Sequence, residues 1–407
     1  MAPLGSWRWS PTHVLFRTVW QLILLSAALA AVSGGLGLTN GRLSIRFGNS
    51  SGTGFALEQL QPAAGAAAAL GNLLSEPQPP WWTATLVLPG NATAVITSAS
   101  PCHSHAHTHT VAADDGSQTL ALRWAAVSVS DSAAVLVDVL ANWTLQASAH
   151  TAELSAFSVV PAADSGTDFA LWSLQFSLRI ALAETDTLFV PFLYGLAFDD
   201  PGRSLYSSPM ANGWDGAYPS SLATMQIMAH AKRAATTSSG TESALLYFAA
   251  HDPAAGSKTL SWTVDTTLAS SPHPMGQSGR TATMALYYTP PGASVALSGG
   301  GHGFQLSFPW VLGALPGDSW WEATNEYRSW ALRKNASWLS AGPLRRRVDV
   351  PLWAQAPAVA SEAGGLETAA AAASGSVDFW VVCTSPDLAS CLSRSRTICR
   401  FDQKRKH

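Results

Sequence analysis

From about Leu43 to Phe308, apolar residues recur at every second position or gather in short unbroken runs, and Gly, Pro, Asn, Asp and Ser clusters separate these stretches. Period two places successive side chains on opposite faces of a strand, so the pattern predicts many strands. They are expected over Trp82–Leu88, Thr119–Val129, Ala133–Leu145, Phe169–Leu182, Ala244–Ala250, Thr259–Val264, Thr281–Tyr288 and Phe304–Phe308. No long amphipathic helix intervenes, which favours antiparallel sheets packed face to face over a doubly wound α/β fold. The expected fold class is mainly β, a large antiparallel β-supersandwich spanning residues 40–315. Within it, the Ala-rich stretch Gln61–Leu74 fits a short helix and a flexible insertion equally well.

The period changes after Pro316. Ser319-Trp320-Trp321-Glu322 has the form of a capping box, whose serine oxygen and glutamate carboxylate satisfy the free amides of a first helical turn. Trp320, Ala323, Tyr327, Trp330 and Ala331 then fall on one stripe expected to pack on the sandwich, with Glu322, Glu326, Arg328 and Arg333 toward water. Residues 316–353 therefore read as a linking helix near Ser319–Lys334 and an extended segment ending at Trp353. Residues 354–407 form an irregular, low-complexity tail in which only Val377–Val382 resembles a buried strand.

The other end of the chain has the outline of a targeting segment. Arg8, His13 and Arg17 precede the uncharged apolar run Val19–Val32, which closes in small residues, so residues 1–33 are expected to be a signal peptide or an N-terminal membrane anchor. Entry into the secretory pathway, with an extracellular or luminal product, gives meaning to four Asn-x-Ser/Thr triplets, at Asn49, Asn91, Asn142 and Asn335. The membrane is a partner only through the N-terminal segment, if it is retained. Cys102, Cys383, Cys391 and Cys399 are too unevenly spread for a disulfide framework to hold the fold together.

Composition narrows the function classes. Charged residues make up 12% of the chain and hydrophobic ones 47%, with 17 tryptophans, a composition that folds rather than staying disordered. The 26 acidic and 23 basic residues give a net charge of −3, too little positive field to gather phosphates, so nucleic acid is not an expected partner. Gly-x-Ser-x-Gly, His-Glu-x-x-His and a phosphate-cradling glycine loop are all absent from the sequence, and no cofactor is expected.

Several constellations remain. His103, His105, His107 and His109 alternate, which on a strand would set four imidazoles on one face about 7 Å apart and suit zinc or copper. The alternative is a solvated loop between Pro101 and Asp114-Asp115-Gly116. Asp199-Asp200-Pro201-Gly202 reads as a turn. Asn212–Pro219 mixes aromatic and polar residues in what looks like a loop, and Trp214, Asp215 and Tyr218 are its candidates for stacking on and hydrogen-bonding a sugar. His251 and Asp252 close a strand, where they could grip a ligand or begin a turn. Carbohydrate is the partner class that these residues admit. No pair of carboxylates with a spacing suited to glycoside hydrolysis stands out, so no catalytic residue is assigned.

One ordered series of residues is more specific. Tyr218-Pro219-Ser220, Met225-Gln226-Ile227-Met228-Ala229, Leu246–Pro253 and Lys258 precede Trp321-Glu322-Ala323, Tyr327-Arg328-Ser329-Trp330-Ala331, Trp338, Gly342-Pro343-Leu344, Arg347 and Asp349–Trp353. The series resembles the glycosidase-like family called domain of unknown function 6259, over roughly Leu43–Trp353. That resemblance implies an N-terminal supersandwich of the galactose-mutarotase type, a linking helix and a (β/α)8 barrel carrying the catalytic carboxylates. The 54 residues from 354 to 407 are too few for a barrel of about 250. The expected function is that of a secretory-pathway, glycosidase-related protein with a non-catalytic, carbohydrate-binding-type sandwich and no activity of its own. The alternatives are a membrane-tethered interaction glycoprotein and a hydrolase whose barrel is encoded elsewhere.

Overall fold

The computed structural model describes residues 36–50, 54–63, 68, 70–129, 136–162, 169–192, 195–201, 213–220, 222–233, 242–264, 280–290 and 303–334. The chain divides into two units, Met1–Trp338 and Leu339–His407, and every described residue belongs to the first. The expected leader at 1–33, Asn335, the segment leading to Trp353, the tail 354–407 and Cys383, Cys391 and Cys399 lie outside the described residues.

The described residues form three sheets in which the strand pairings are antiparallel. The largest has ten strands: β6 (Cys102–Val111), β7 (Gln118–Ser128), β8 (Leu136–Leu145), β9 (Thr151–Pro161), β11 (Thr187–Val190), β12 (Leu196–Asp199), β14 (Ile227–Arg233), β15 (Ser243–Ala250), β18 (Phe304–Gln305) and β19 (Trp310–Pro316). Its order is β12-β11-β14-β15-β19-β9-β8-β7-β6, with β18 on β9. A six-stranded sheet, ordered β13-β16-β17-β10-β4-β5, contains β4 (Trp82–Val87), β5 (Thr93–Thr97), β10 (Ala170–Leu182), β13 (Trp214–Tyr218), β16 (Lys258–Val264) and β17 (Arg280–Tyr288). The third sheet is β1 (Gly37–Thr39), β2 (Leu43–Ser50) and β3 (Gly54–Pro62). The mainly β, antiparallel architecture is the one the periodicity predicts.

Alternation explains why these strands form a layered core. In β4 and β8 nearly every second side chain is buried, so each strand offers one apolar face. The faces meet in an aromatic cluster. Trp81, Trp82, Trp124, Trp143 and Trp310 are fully buried. Trp310 of the ten-stranded sheet stacks on Phe176 of the six-stranded sheet at 4.9 Å between ring centres, and Trp143 meets Phe47 of the three-stranded sheet at 5.8 Å. Truncating any one of these indoles to Ala would cost roughly 3–5 kcal/mol.

The Ala-rich stretch is partly strand: β3 runs to Pro62, and Leu73 and Leu74 are buried in the core. Of Asp199–Gly202 the first three residues are described: β12 ends at Asp199, and Asp200 has φ +47° and donates its N–H to the carbonyl of Asp186. Helix α1 (Trp320–Arg333) starts as the capping box requires: Ser319 Oγ accepts from Trp321 N, and Glu322 Oε2 accepts from Ser319 N at 3.0 Å. Ala323, Tyr327, Trp330 and Ala331 are buried against the sandwich. Trp320 is half-buried and stacks on Phe189 at 5.7 Å. Trp321 and Leu332 remain exposed, while Glu322 and Glu326, expected toward water, are half-buried.

Candidate functional site

The residues singled out as sugar ligands separate into two groups. Asn212–Pro219 was expected to be a loop, but residues 214–218 form β13, an edge strand of the six-stranded sheet paired with β16. The glycine that suggests a loop is there for packing. A Cβ at Gly216 would lie 2.1 Å from the Trp214 ring, so the indole fills the space above the glycine. Trp214, Gly216 and Tyr218 face inward, and Asp215 and Ala217 face out. Asp215 is thereby set on the outward face, where its charge adds to burial in raising the Tyr287 hydroxyl pKa.

Tyr218 and Asp252 belong to a buried polar hub against α1, and His251 lies next to it. Lys258, at the start of β16, is fully buried, and its ammonium donates to Gln226 Oε1 at 2.8 Å, Asp252 Oδ2 at 2.8 Å and the Gly256 carbonyl at 2.6 Å. Burial lowers the Lys258 pKa, and the Asp252 carboxylate opposes that shift. Asp252 also accepts backbone N–H groups from Ala254 at 2.9 Å and Gly256 at 2.7 Å, the contacts of an aspartate that shapes its own turn. The Gln226 amide is oriented by Lys258, since its oxygen must face the ammonium. Its Nε2 then donates to the Asp252 carbonyl and to Tyr327 Oη, both at 3.1 Å. The Tyr218 ring lies 5.2 Å from Lys258 Nζ. Burial, the leading cause, raises the hydroxyls of Tyr218 and Tyr327, the latter well above 10.

His251 sits beside this hub. Its Nε2 is 2.9 Å from Tyr247 Oη, its ring stacks on Trp330 at 4.4 Å with 17° between planes, and its Nδ1 faces Glu153 Oε1 at 3.8 Å. Burial lowers the imidazole pKa, and the facing imidazole lowers the Glu153 carboxyl. A second buried pair, Asp186 Oδ2 and His230 Nε2 at 3.1 Å, joins the turn before β11 to β14. The long-range contacts hold one element against another: Gln226 reaches Tyr327 of α1, His251 stacks on Trp330 of α1, and Asp186 meets His230 of β14. With its ammonium and carboxylate committed inside the protein, the hub is built to position the helix.

The four histidines lie on a strand, not in a loop. His105, His107 and His109 of β6 are opposite Trp124, Leu122 and Leu120 of β7, which places them on the core-side face. His105 and His107 pack edge-on against Phe55 at 5.3 and 6.2 Å. The ladder pairs Cys102 with Val127 and Ser104 with Ala125 in one register but skips His103, opposite which Ala126 of β7 has φ +52°. Burial raises the Cys102 thiol. Among the described residues, no three or more His, Cys, Asp or Glu side chains converge to hold a metal ion. Of the sequons, Asn91 is exposed in a 3-10 turn (Pro89–Asn91), Asn142 is half-buried within β8, and Asn49 lies in β2. Among the described residues, no helix is long and apolar enough to cross a membrane.

No family model matches the chain. It is 27% identical, over 315 residues, to a Monosiga brevicollis protein named "Putative glycoside hydrolase 22789". The likeness is to a glycoside hydrolase. The aligned stretch covers 75% of the present chain but only 22% of that relative, so the chain spans about a fifth of its length. Among solved structures, an alpha-N-acetylgalactosaminidase from Bifidobacterium bifidum in complex with GalNAc is 10% identical, with a TM-score of 0.41 over 76% of this chain and 39% of that one. A GH36 alpha-galactosidase from Geobacillus stearothermophilus in complex with raffinose is 12% identical, with a TM-score of 0.40 over 69% and 40%.

Lys258, Gln226 and Tyr247 stand out in the sequence only through the family resemblance, and Glu153 does not stand out at all. A lysine in period with the inward Leu260, Trp262 and Val264 of its strand is a usable signal, because a buried ammonium demands a carboxylate partner.

Proposed function

We propose that residues 36–334 are the non-catalytic sandwich and linking helix of a glycosidase-related protein of the domain of unknown function 6259 type. The observation that carries this reading is the alignment with a glycoside hydrolase relative over most of the sandwich, in a chain whose nominated carboxylates have other work. Asp252 is bound by Lys258, Asp199 Oδ1 accepts from Thr187 Oγ1 at 2.7 Å, and Asp215 stands on the outward face of an edge strand. Because the alignment takes in a fifth of the relative, the hydrolysis in its name has room to reside outside the shared stretch. On this reading the chain passes through the secretory pathway, carries N-glycans, contacts carbohydrate through its outward surface and cleaves no glycoside by itself. The exposed turn position of Asn91 supports the glycosylation.

A panel of aryl glycosides and a glycan array test this together. The expected result is no turnover with measurable glycan binding. Turnover that disappears in Asp199→Asn, Asp215→Asn or Asp252→Asn would place chemistry in the sandwich and overturn the proposal.

A further inference from the structure

Strand β6 is the last strand of the ten-stranded sheet, and among the described residues it pairs with β7 alone. Its outer row of backbone donors and acceptors can therefore take a further strand. Proteins usually defend such an edge with Lys, Pro, a bulge or inward charges. The β6 sequence, CHSHAHTHTV, has no charged residue and no proline. The gap at His103 touches only its beginning, and Ser104–Val111 follow β7 in unbroken register. Cys102 and His105 are half-buried and the rest of the strand is exposed.

The same strand sets two imidazoles on one face. His105 and His107 share the core-side face and flank the Phe55 ring, about 7 Å apart along the strand. Zinc takes four ligands in a structural site, and within this chain no third His, Cys, Asp or Glu among the described residues joins them.

We propose that β6 pairs antiparallel with β6 of a second copy across a two-fold axis at Ala106, and that the facing histidines of the two strands hold a zinc ion. With Ala106 opposite Ala106, His105 faces His107 of the other copy and His103 faces His109, so all four histidines meet histidines. A shift of two residues sets His103 against Val111 or His109 against Pro101. An axis normal to the sheet keeps both strands the same way up, so the four imidazoles of two His105 and two His107 project on one side. Cross-strand Cβ atoms are then about 4.5–5.5 Å apart, within reach of zinc–nitrogen bonds of about 2.0–2.1 Å. The acidic turn Asp114-Asp115 falls beyond the paired stretch, so the two copies do not set like charges against each other.

Sedimentation velocity on the full, tag-free chain, with EDTA or with added zinc, tests the proposal. Zinc at about 100 times its dissociation constant for the shared site should tighten dimerisation about 100-fold. His105→Gln/His107→Gln should abolish the zinc response. Ala106→Lys, an exposed position, should weaken association by placing two ammonium groups opposite each other, with circular dichroism and melting like the parent's. Sedimentation unchanged by zinc would overturn the proposal, as would a zinc response that survives His105→Gln/His107→Gln or an Ala106→Lys protein that dimerises as tightly as the parent.

Discussion

Replacing Lys258 by Met tests whether the buried hub is what seats helix α1. Methionine keeps most of the side-chain volume and removes the ammonium, whose three hydrogen bonds are 2.8, 2.8 and 2.6 Å long. The Gln226 and Gly256 oxygens then lose their donor in a buried place, at about 1–3 kcal/mol for each acceptor left unsatisfied. Asp252 keeps its Ala254 and Gly256 N–H bonds but loses its countercharge. Breaking a buried ion pair from one side costs about 3–5 kcal/mol. The two surviving backbone bonds on Asp252 argue for the lower end, about 3 kcal/mol. Urea titration followed by tryptophan fluorescence reads this as a lower midpoint at constant slope. Adding Asp252→Asn removes the stranded carboxylate, so the double variant should lose less than the two single losses together, with a coupling of about 0.5–3 kcal/mol. A Lys258→Met protein within 1 kcal/mol of the parent, or strictly additive losses, would refute the assignment of the hub as a structural anchor.

Trp330→Ala should cost about 3–5 kcal/mol in thermal or urea unfolding, because the indole is buried and covers the His251 ring. Stability should fall as pH drops below about 6.5: unfolding frees the His251 imidazole to take a proton near that ordinary value, whereas burial lowers its folded pKa, so the unfolded chain binds more protons across that window. Melting curves between pH 7 and 5 should be flatter for His251→Asn, and an unchanged slope would show that another group governs the acid limb. In a secretory host, Asn91→Gln should remove a glycan detectable by mass spectrometry, while Asn142, half-buried between β7 and β9, should be sparsely occupied; the reverse pattern would contradict the exposure argument.

The sequence disclosed the features that depend on near neighbours. Alternation located β7, β8, β10, β15 and β17 to within a few residues, and the Ser319–Glu322 box located the start of α1, because periodicity and capping are local physics. Residues 214–218 looked like a loop because Gly213, Gly216 and Pro219 punctuate them, and nothing local reveals that Gly216 makes way for an indole. The histidine run fitted strand and loop alike until its pairing with β7 was known. The hub was hidden for a different reason: Gln226 and Tyr327 lie 101 residues apart, and only the closed sandwich brings them together.

Trp81 and Trp82 are consecutive, yet they touch all three sheets. The Trp81 indole donates to the Phe55 carbonyl of β3 at 2.9 Å and stacks parallel to Trp310 of β19 at 6.2 Å, while Trp82 opens β4 and meets Trp124 of β7 at 5.2 Å. Two adjacent residues thus act as a rivet through the layers. A sheet cannot peel away without exposing indole surface that the others also cover, so fluctuations that open one layer share their free energy with the rest. With Trp310–Phe176 and Trp143–Phe47 bridging the same layers, the 3-stranded, 6-stranded and 10-stranded sheets should melt as one unit.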